Sequence, residues 1–312
     1  MFLQKVRGDS VKAENFVWIF GTGRTGSTWL ATMMTELKGH KQWSEPLVGE
    51  LFGSFFYNLG LRWNEWTPPY QYKGFVFSSS YKKTWLNSIR SVVLDGAKVR
   101  FPEMTQEECL VIQEPNGSIG APWLLEALPE SRMIFLIRDP RDVVASVLDG
   151  LKKGGWLYLE QYLIPYEFRE KEYLLHHVGE RQQEWPDSLA DRNPNAVVKA
   201  QANRYLRDVG NVKQAYDHHR GHKVLVRYED LRADTLGTMK RTYSALDIAV
   251  DEQELIRVVD KHAWENIPED KKGKGKVLRK ATPGGWREDL TPEQTEVVEM
   301  ITAPLLKEFY PK

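Results

Sequence analysis

The stretch "FVWIFGTGRTGSTWLATMM", Phe16 to Met34, decides how the chain is read. An apolar run, Phe16 to Phe20, breaks into a Gly-rich turn and then a helix-forming segment, the grammar of a loop that holds phosphate. Three readings compete. Gly21, Gly23 and Gly26 spell G-x-G-x-x-G, the dinucleotide fingerprint, which needs an acidic residue about 20 positions on, at the end of a second strand. Glu45 stands 19 residues past Gly26, but "GHKQWSEPLVGEL" has no run of Val, Ile or Leu before it, so the match reads as coincidence. A Walker loop needs Lys directly before Ser or Thr. Here Gly26 precedes Ser27, and the only cation in the loop, Arg24, stands three residues before Ser27. The third reading keeps the physics and changes the ligand. Backbone N–H groups and the helix dipole face an anion. Arg24 adds a planar charge, Ser27 and Thr28 add hydroxyl donors, and Trp29 offers a flat face for a base. That equipment suits a phosphosulfate with no metal bridging it.

The bulk numbers exclude several classes. Lys plus Arg and Asp plus Glu are both 43, so the net charge is zero, whereas general nucleic-acid or anionic-membrane binders carry a basic excess. Any anion site is therefore local, and no nucleic-acid partner is expected. The single cysteine, Cys109, allows no intrachain disulfide and points to a reducing compartment. The start "MFLQKVRGDS" has charges where a signal peptide needs an apolar core. The least polar long run, "LFGSFFYNLGL", has 11 residues, too few to span a bilayer. A soluble cytoplasmic protein is expected.

Short β-rich runs alternate with helical patterns, which implies βαβ units around a parallel sheet. "FVWIF" (16–20), "CLVIQ" (109–113), "MIFLI" (133–137) and "KVLVRYEDL" (223–231) read as four strands, the last running into a loop. Helices are expected from about Ser27 to Lys38, over "APWLLEALP", over "DPRDVVASVL" with Asp139 as N-cap and Pro140 at its first position, and over "ADTLGTMKRTYSAL" and "DEQELIRVVDKHAW". "TPEQTEVVEMITAPLLKEFY" reads as a terminal helix with a capping box. Two stretches break the rhythm. Residues 43–85 hold 13 of the 36 aromatics, and residues 150–195 are amphipathic. Aromatic-rich insertions beside a nucleotide fold are where acceptor pockets tend to be built.

At this point the chain resembles the sulfotransferases, of bacterial type, that use 3′-phosphoadenosine-5′-phosphosulfate (PAPS). "GRTGSTWL" is similar to the family's 5′-phosphosulfate loop, P-[KR]-S-G-T-T-[WL]. "IFLIRDPRDVVAS" is similar to the 3′-phosphate element, R-[DN]-P-x-D-x-x-x-S, with Arg138 and Ser146 on its two phosphate-binding positions. "RKATPGGWRED" (279–289) is similar to the R-K-G-x-x-G-D-W-K element, with Arg279 and Lys280 matched and departures at Ala281, Gly285 and Arg287. "VRYEDL" is similar to a strand-loop found between these elements. The resemblance implies cofactor contacts from Arg24, Thr25, Gly26, Ser27, Thr28, Trp29, Arg138, Ser146, Arg279 and Lys280. It implies PAPS as sulfuryl donor, 3′-phosphoadenosine-5′-phosphate (PAP) as product, and no metal. Within "KKGKGKVLRK" (271–280), Arg279 and Lys280 are expected over the 3′-phosphate and the earlier lysines in solvent.

Sulfuryl transfer, like phosphoryl transfer, runs in line through a loose transition state and leaves little covalent work to the protein. Charge on the leaving oxygen must be stabilised and the acceptor must lose a proton. Arg24 occupies the loop-cation position and acts as an electrostatic clamp, since a guanidinium does not give up a proton. The base is Glu45 or Glu114. Glu45 lies 21 residues after the loop Arg, the spacing at which tyrosylprotein sulfotransferases carry a catalytic Glu. Glu114 falls where cytosolic small-molecule sulfotransferases have a catalytic His. His176-His177 and His218-His219 read as surface histidines rather than metal ligands, because adjacent helical side chains point apart.

The expected fold is α/β, a three-layer, mainly parallel sheet flanked by helices, with a P-loop-like nucleotide crevice. One sulfotransferase domain over 1–312 is expected, with an acceptor-pocket insertion at about 43–105 and a helical lid at about 150–200. The expected acceptor is a hydroxyl, ahead of an amine, on a small molecule, carbohydrate or lipid-like compound. A P-loop kinase-like phosphotransferase and an inactive nucleotide-binding scaffold are the alternatives.

Overall fold

Phe16–Phe20 forms β1 and is buried at every residue, as expected of a strand covered on both faces of a parallel sheet. The computed structural model describes residues 11–62, 76, 78–157 and 189–311. The described chain divides into two compact units, Met1–Ile137 with Arg207–Lys261, and Arg138–Leu206 with His262–Lys312.

The first unit holds five strands in the order β2-β3-β1-β4-β5, all paired in parallel. These are β1, β2 (His40–Ser44), β3 (Cys109–Gln113), β4 (Arg132–Ile137) and β5 (Lys223–Arg227). Its helices before β4 are α1 (Ser27–Glu36), α2 (Val48–Arg62), α3 (Lys82–Arg100) and α4 (Ala121–Ala127). Side chains alternate along β1 as the pleat requires. Val17 and Ile19 join Leu30, Met33, Met34, Val111, Ile134 and Leu136 in one core cluster. On the intervening positions, Trp18 stacks on Phe20 with ring centroids 5.4 Å apart. Two connections built of close backbone contacts fix α2. A Cβ at Gly49 would stand 2.1 Å from the Gly117 carbonyl oxygen, and one at Gly53 would stand 2.4 Å from the Gly120 nitrogen.

β2 corrects the sequence reading, which found no strand before Glu45. His40–Ser44 is half-exposed and polar, and among the described residues it is an edge strand paired only with β3. Its existence does not revive the dinucleotide reading. In that fold the strand bearing the acid lies beside β1, whereas here β3 separates β2 from β1. A second correction follows β5. "YEDLRA" is a helix, α7 (Tyr228–Ala233), rather than a loop. Asp234 then caps α8 (Thr235–Ala245) by accepting the Gly237 N–H, and α9 is Glu252–Lys261.

The second unit contains α5 (Pro140–Leu151), the start of α6 (Pro194–His218) and α10 (Pro292–Phe309). Asp139 caps α5 by accepting the Arg141 N–H, with Pro140 at the first position, where its missing N–H costs nothing. Thr291 and Gln294 form the reciprocal capping box of α10. Val144, Ala145, Leu148, Val197, Val198, Ala202, Leu290 and Val298 make this unit's core.

The aromatic segment 63–75, Phe77, the tract 158–188 and His176-His177 lie outside the described residues. Trp85, the last aromatic of the rich stretch, is core: it meets Trp123 edge-on at 5.3 Å. Among the described residues no helix is long and apolar enough to cross a membrane.

Candidate functional site

The loop after β1 belongs to the first unit. Gly21 sits so close to β4 that a Cβ would stand 2.3 Å from the Leu136 carbonyl oxygen. Arg24 and Gly26 both take left-handed backbone, φ 72° and 88°, and turn the chain sharply into α1. Gly26 is the N-cap and has no side chain with which to cap. The first-turn N–H groups of α1 therefore keep the capacity to bind an anion. Thr25 is buried, and its hydroxyl donates to the Thr22 carbonyl at 2.7 Å, which closes the loop on itself. Ser27 and Thr28 open α1, and both hydroxyl oxygens accept from Gln113 Nε2, at 3.3 and 3.1 Å. Trp29 meets Tyr228 edge-on at 6.4 Å, and the Arg232 guanidinium stands 5.7 Å from its ring centre.

Glu45 follows β2 directly. Its N–H donates to the Gln113 carbonyl at 2.8 Å, and it takes φ 46°, an uncommon conformation for a side-chain-bearing residue. One carboxylate oxygen, Oε2, accepts from Asn116 Nδ2 at 2.7 Å. The same Asn116 amide lies beside the anion loop, with Oδ1 3.6 Å from the place a Gly23 Cβ would occupy. Glu114 is placed differently. It is fully buried, and its two oxygens accept the N–H groups of Leu47 at 3.0 Å and Gly49 at 2.9 Å. It thus holds the N-terminus of α2. Burial pushes its carboxyl up to about 7, the two N–H bonds pull against that, and Glu45 and Glu50 add to the rise. Ser118 completes the frame: its hydroxyl accepts the Gly21 N–H at 2.9 Å and donates to the Glu114 carbonyl at 3.2 Å.

The other predicted residues belong to the second unit. Arg138 leaves β4, and its carbonyl accepts from the Tyr205 hydroxyl at 2.8 Å. Ser146 is buried on α5. Arg279 forms ion pairs with Asp149 and Asp289, while Lys280 pairs with Glu288 at 2.9 Å and Asp289 at 3.1 Å. The loop carrying them is anchored by Asp142, whose carboxylate accepts from Gly284 N at 2.7 Å and Trp286 N at 2.9 Å. Burial raises the Asp142 carboxyl, and Arg138 and the two N–H bonds oppose the rise. Trp286 stacks under two guanidinium groups, Arg141 at 4.3 Å and Arg287 at 4.5 Å. The expectation of exposed lysines before Arg279 fails at Lys272, whose side chain is only 8% exposed over Trp264 and paired with Glu269. His219 is likewise buried rather than superficial, with Nε2 2.8 Å from the Ser131 carbonyl oxygen. His218 is exposed. Among the described residues no group of three or more His, Cys, Asp or Glu could hold a metal ion.

Ala281 has φ 51°. It stands where the resembled element has Gly, and the left-handed backbone supplies the reason, since a Cβ is disfavoured there. Ala281→Gly is expected to raise the unfolding free energy by roughly 0.5–1 kcal/mol. Chemical denaturation at constant m-value checks this; a loss of stability would mean that the turn carries no strain.

Sequence reasoning missed Gln113, Asn116 and Asp142 as parts of the site. Gln113 had one available signal, a lone amide ending an apolar strand at the edge where parallel sheets bind ligands.

Three solved structures share this fold across nearly all of the chain. Sulfotransferase STF9 from Mycobacterium avium is 13% identical, with 97% of this chain and 78% of that chain covered at a TM-score of 0.55. The sulfotransferase domain from the Curacin biosynthetic pathway is 15% identical, with 95% and 98% covered and a TM-score of 0.51. Mouse sulfotransferase SULT7A1, solved in complex with PAP, is 12% identical, with 98% and 88% covered and a TM-score of 0.50. At such identities the likeness speaks for the fold. No curated protein matches the sequence. The sulfotransferase domain family, however, matches residues 14–310, from the turn before β1 to the end of α10, and this chain belongs to it.

Proposed function

We propose that the protein transfers the sulfuryl group of PAPS to a hydroxyl, ahead of an amine, on a small-molecule, carbohydrate or lipid-like acceptor. One observation carries the reading: the Asn116 amide bonds the Glu45 carboxylate on one side and lies against Gly23 of the anion loop on the other. A base and an anion cradle thus share one support. The cradle fits a phosphosulfate, because uncapped first-turn N–H groups and the Ser27 and Thr28 hydroxyls are all donors. PAPS supplies an activated sulfuryl group whose leaving group is a phosphate. Glu45 takes the acceptor O–H proton as the new S–O bond forms, and the bond between sulfur and the phosphate oxygen breaks. Arg24 stabilises the charge left on that oxygen. Glu45 is the proposed base rather than Glu114, because both Glu114 oxygens already accept backbone N–H groups. In the second unit, Arg138, Ser146, Arg279 and Lys280 are proposed for the 3′-phosphate, and Arg279 and Lys280 exchange carboxylate partners for it.

The proposal treats residues 1–312 as one cytoplasmic sulfotransferase domain, with the acceptor pocket from about 43–105 and a helical lid from about 150–200. A thermal-shift titration with PAP, ATP–Mg²⁺ and NAD tests it. At about 100 times its dissociation constant a ligand stabilises by about 2.7 kcal/mol, which raises the midpoint by several degrees. PAP alone is expected to do so. A shift with ATP or NAD only would overturn the sulfonucleotide reading.

A further inference from the structure

Gln113 is a buried polar side chain beside the anion loop, and the proposed transfer gives it no role. Gln113 ends β3, in register with Ile19 of β1 and Ser44 of β2, and is 2% exposed. Its Nε2 donates to Ser27 Oγ at 3.3 Å and Thr28 Oγ1 at 3.1 Å. Its Oε1 accepts from Gln42 Nε2 at 3.3 Å and Ser44 Oγ at 3.4 Å. The amide oxygen thus faces Gln42 and Ser44, and the NH₂ faces α1. The consequence for the hydroxyls is chemical. Each carries one proton and two lone pairs, and an amide proton occupies a lone pair on each. Neither hydroxyl can spend its own proton on Gln113, so both protons are left for another acceptor.

We infer that Gln113 is a positioning residue for the anion loop, one that holds the Ser27 and Thr28 oxygens as acceptors and aims both protons at the 5′-phosphosulfate. The inference rests on the sulfonucleotide reading and adds to it a residue outside the loop motif. It also ties the two halves of the chemistry together. The carbonyl of Gln113 accepts the Glu45 N–H, so one residue orients the cofactor donors through its side chain and seats the base through its backbone.

Isothermal titration with PAP and with adenosine 3′-monophosphate, which lacks the 5′ group, separates this role from plain packing. Gln113→Met keeps the volume and removes the donors. It should weaken PAP about tenfold and leave the monophosphate within twofold. Gln113→Glu, which accepts where Gln donates, turns the hydroxyl protons inward and should weaken PAP further. Equal losses for both ligands would mark a structural residue and overturn the inference, as would PAP affinity within twofold of wild type. If neither variant folds, Ser27→Ala/Thr28→Val leaves Gln113 in place and decides the matter: the same selective loss is expected, and unchanged PAP affinity overturns it. Wild-type protein that binds no PAP would instead sink the sulfonucleotide reading itself.

Discussion

Glu45→Gln lowers turnover by at least ~10²-fold while the PAP-induced thermal shift stays at its wild-type size. The expectation comes from what the substitution keeps. Glu45 is held by its own N–H on the Gln113 carbonyl, at 2.8 Å, and by Asn116 Nδ2 on Oε2, at 2.7 Å. A glutamine retains the backbone bond, and its amide oxygen still accepts from Asn116. The amide then places an NH₂ where the second carboxylate oxygen stood. That group has no basic lone pair, so it cannot take the acceptor proton. Shape survives and basicity is lost. Cofactor affinity is spared because the donors of the anion loop, the α1 N–H groups and the Ser27 and Thr28 hydroxyls, belong to other residues. Single-turnover assays with PAPS and an accepted alcohol read the effect directly. Near wild-type turnover would remove Glu45 from the mechanism and return the base role to an open question. A joint loss of turnover and PAP binding would show instead that Glu45 shapes the cradle.

The central strands were the most legible in the sequence, because their burial is two-sided. β1, β3 and β4 carry the apolar runs FVWIF, LVI and MIFLI, buried at every position, and a continuous apolar run is what a strand buried on both faces must look like. The N-caps of α5 and α10 were legible for a local reason, since a cap is a bond between residues two or three apart. β2 was illegible because it is an edge strand of His, Lys, Gln, Trp and Ser, and its pairing with β3 is decided by tertiary contact alone. The same holds within the site. Arg24 and Ser27 announce themselves by loop context, whereas Glu114 and Asp142 look like ordinary carboxylates. Each binds two backbone N–H groups, 65 and 67 positions away for Glu114, and 142 and 144 away for Asp142. No local pattern encodes a bond over that separation. Glu114 in particular invited a catalytic reading from its place in "VIQEPN", and the structure shows a structural use for both its oxygens.

That use has a pH signature, and it provides the second large effect. The Glu114 carboxyl rises from an ordinary 4.5 to about 7, first through burial and then through Glu45 and Glu50. The folded state therefore binds this proton more tightly than the unfolded chain does. The associated stability is fully present below pH 4.5 and is lost as pH rises through about 7. A shift of that size corresponds to about 3 kcal/mol. His40 and His219 act in the opposite sense. Burial lowers both rings, so their contribution is lost as pH falls below 6.5. Whole-protein stability mixes these slopes, but the difference between wild type and Glu114→Gln does not. That difference is expected to move by about 3 kcal/mol in the variant's favour between pH 4.5 and pH 8, measured by urea unfolding at each pH. At the acid end the variant should be the less stable of the two. Its NH₂ must face one of the Leu47 and Gly49 N–H groups that a carboxyl oxygen accepts, and an unpaired buried donor costs about 1–3 kcal/mol. Glu45→Gln supplies an internal check, because removing that neighbouring charge should narrow the window from its alkaline side. A pH-independent difference between wild type and Glu114→Gln would mean that the two N–H bonds outweigh burial, leaving Glu114 an ionised clamp on α2 throughout.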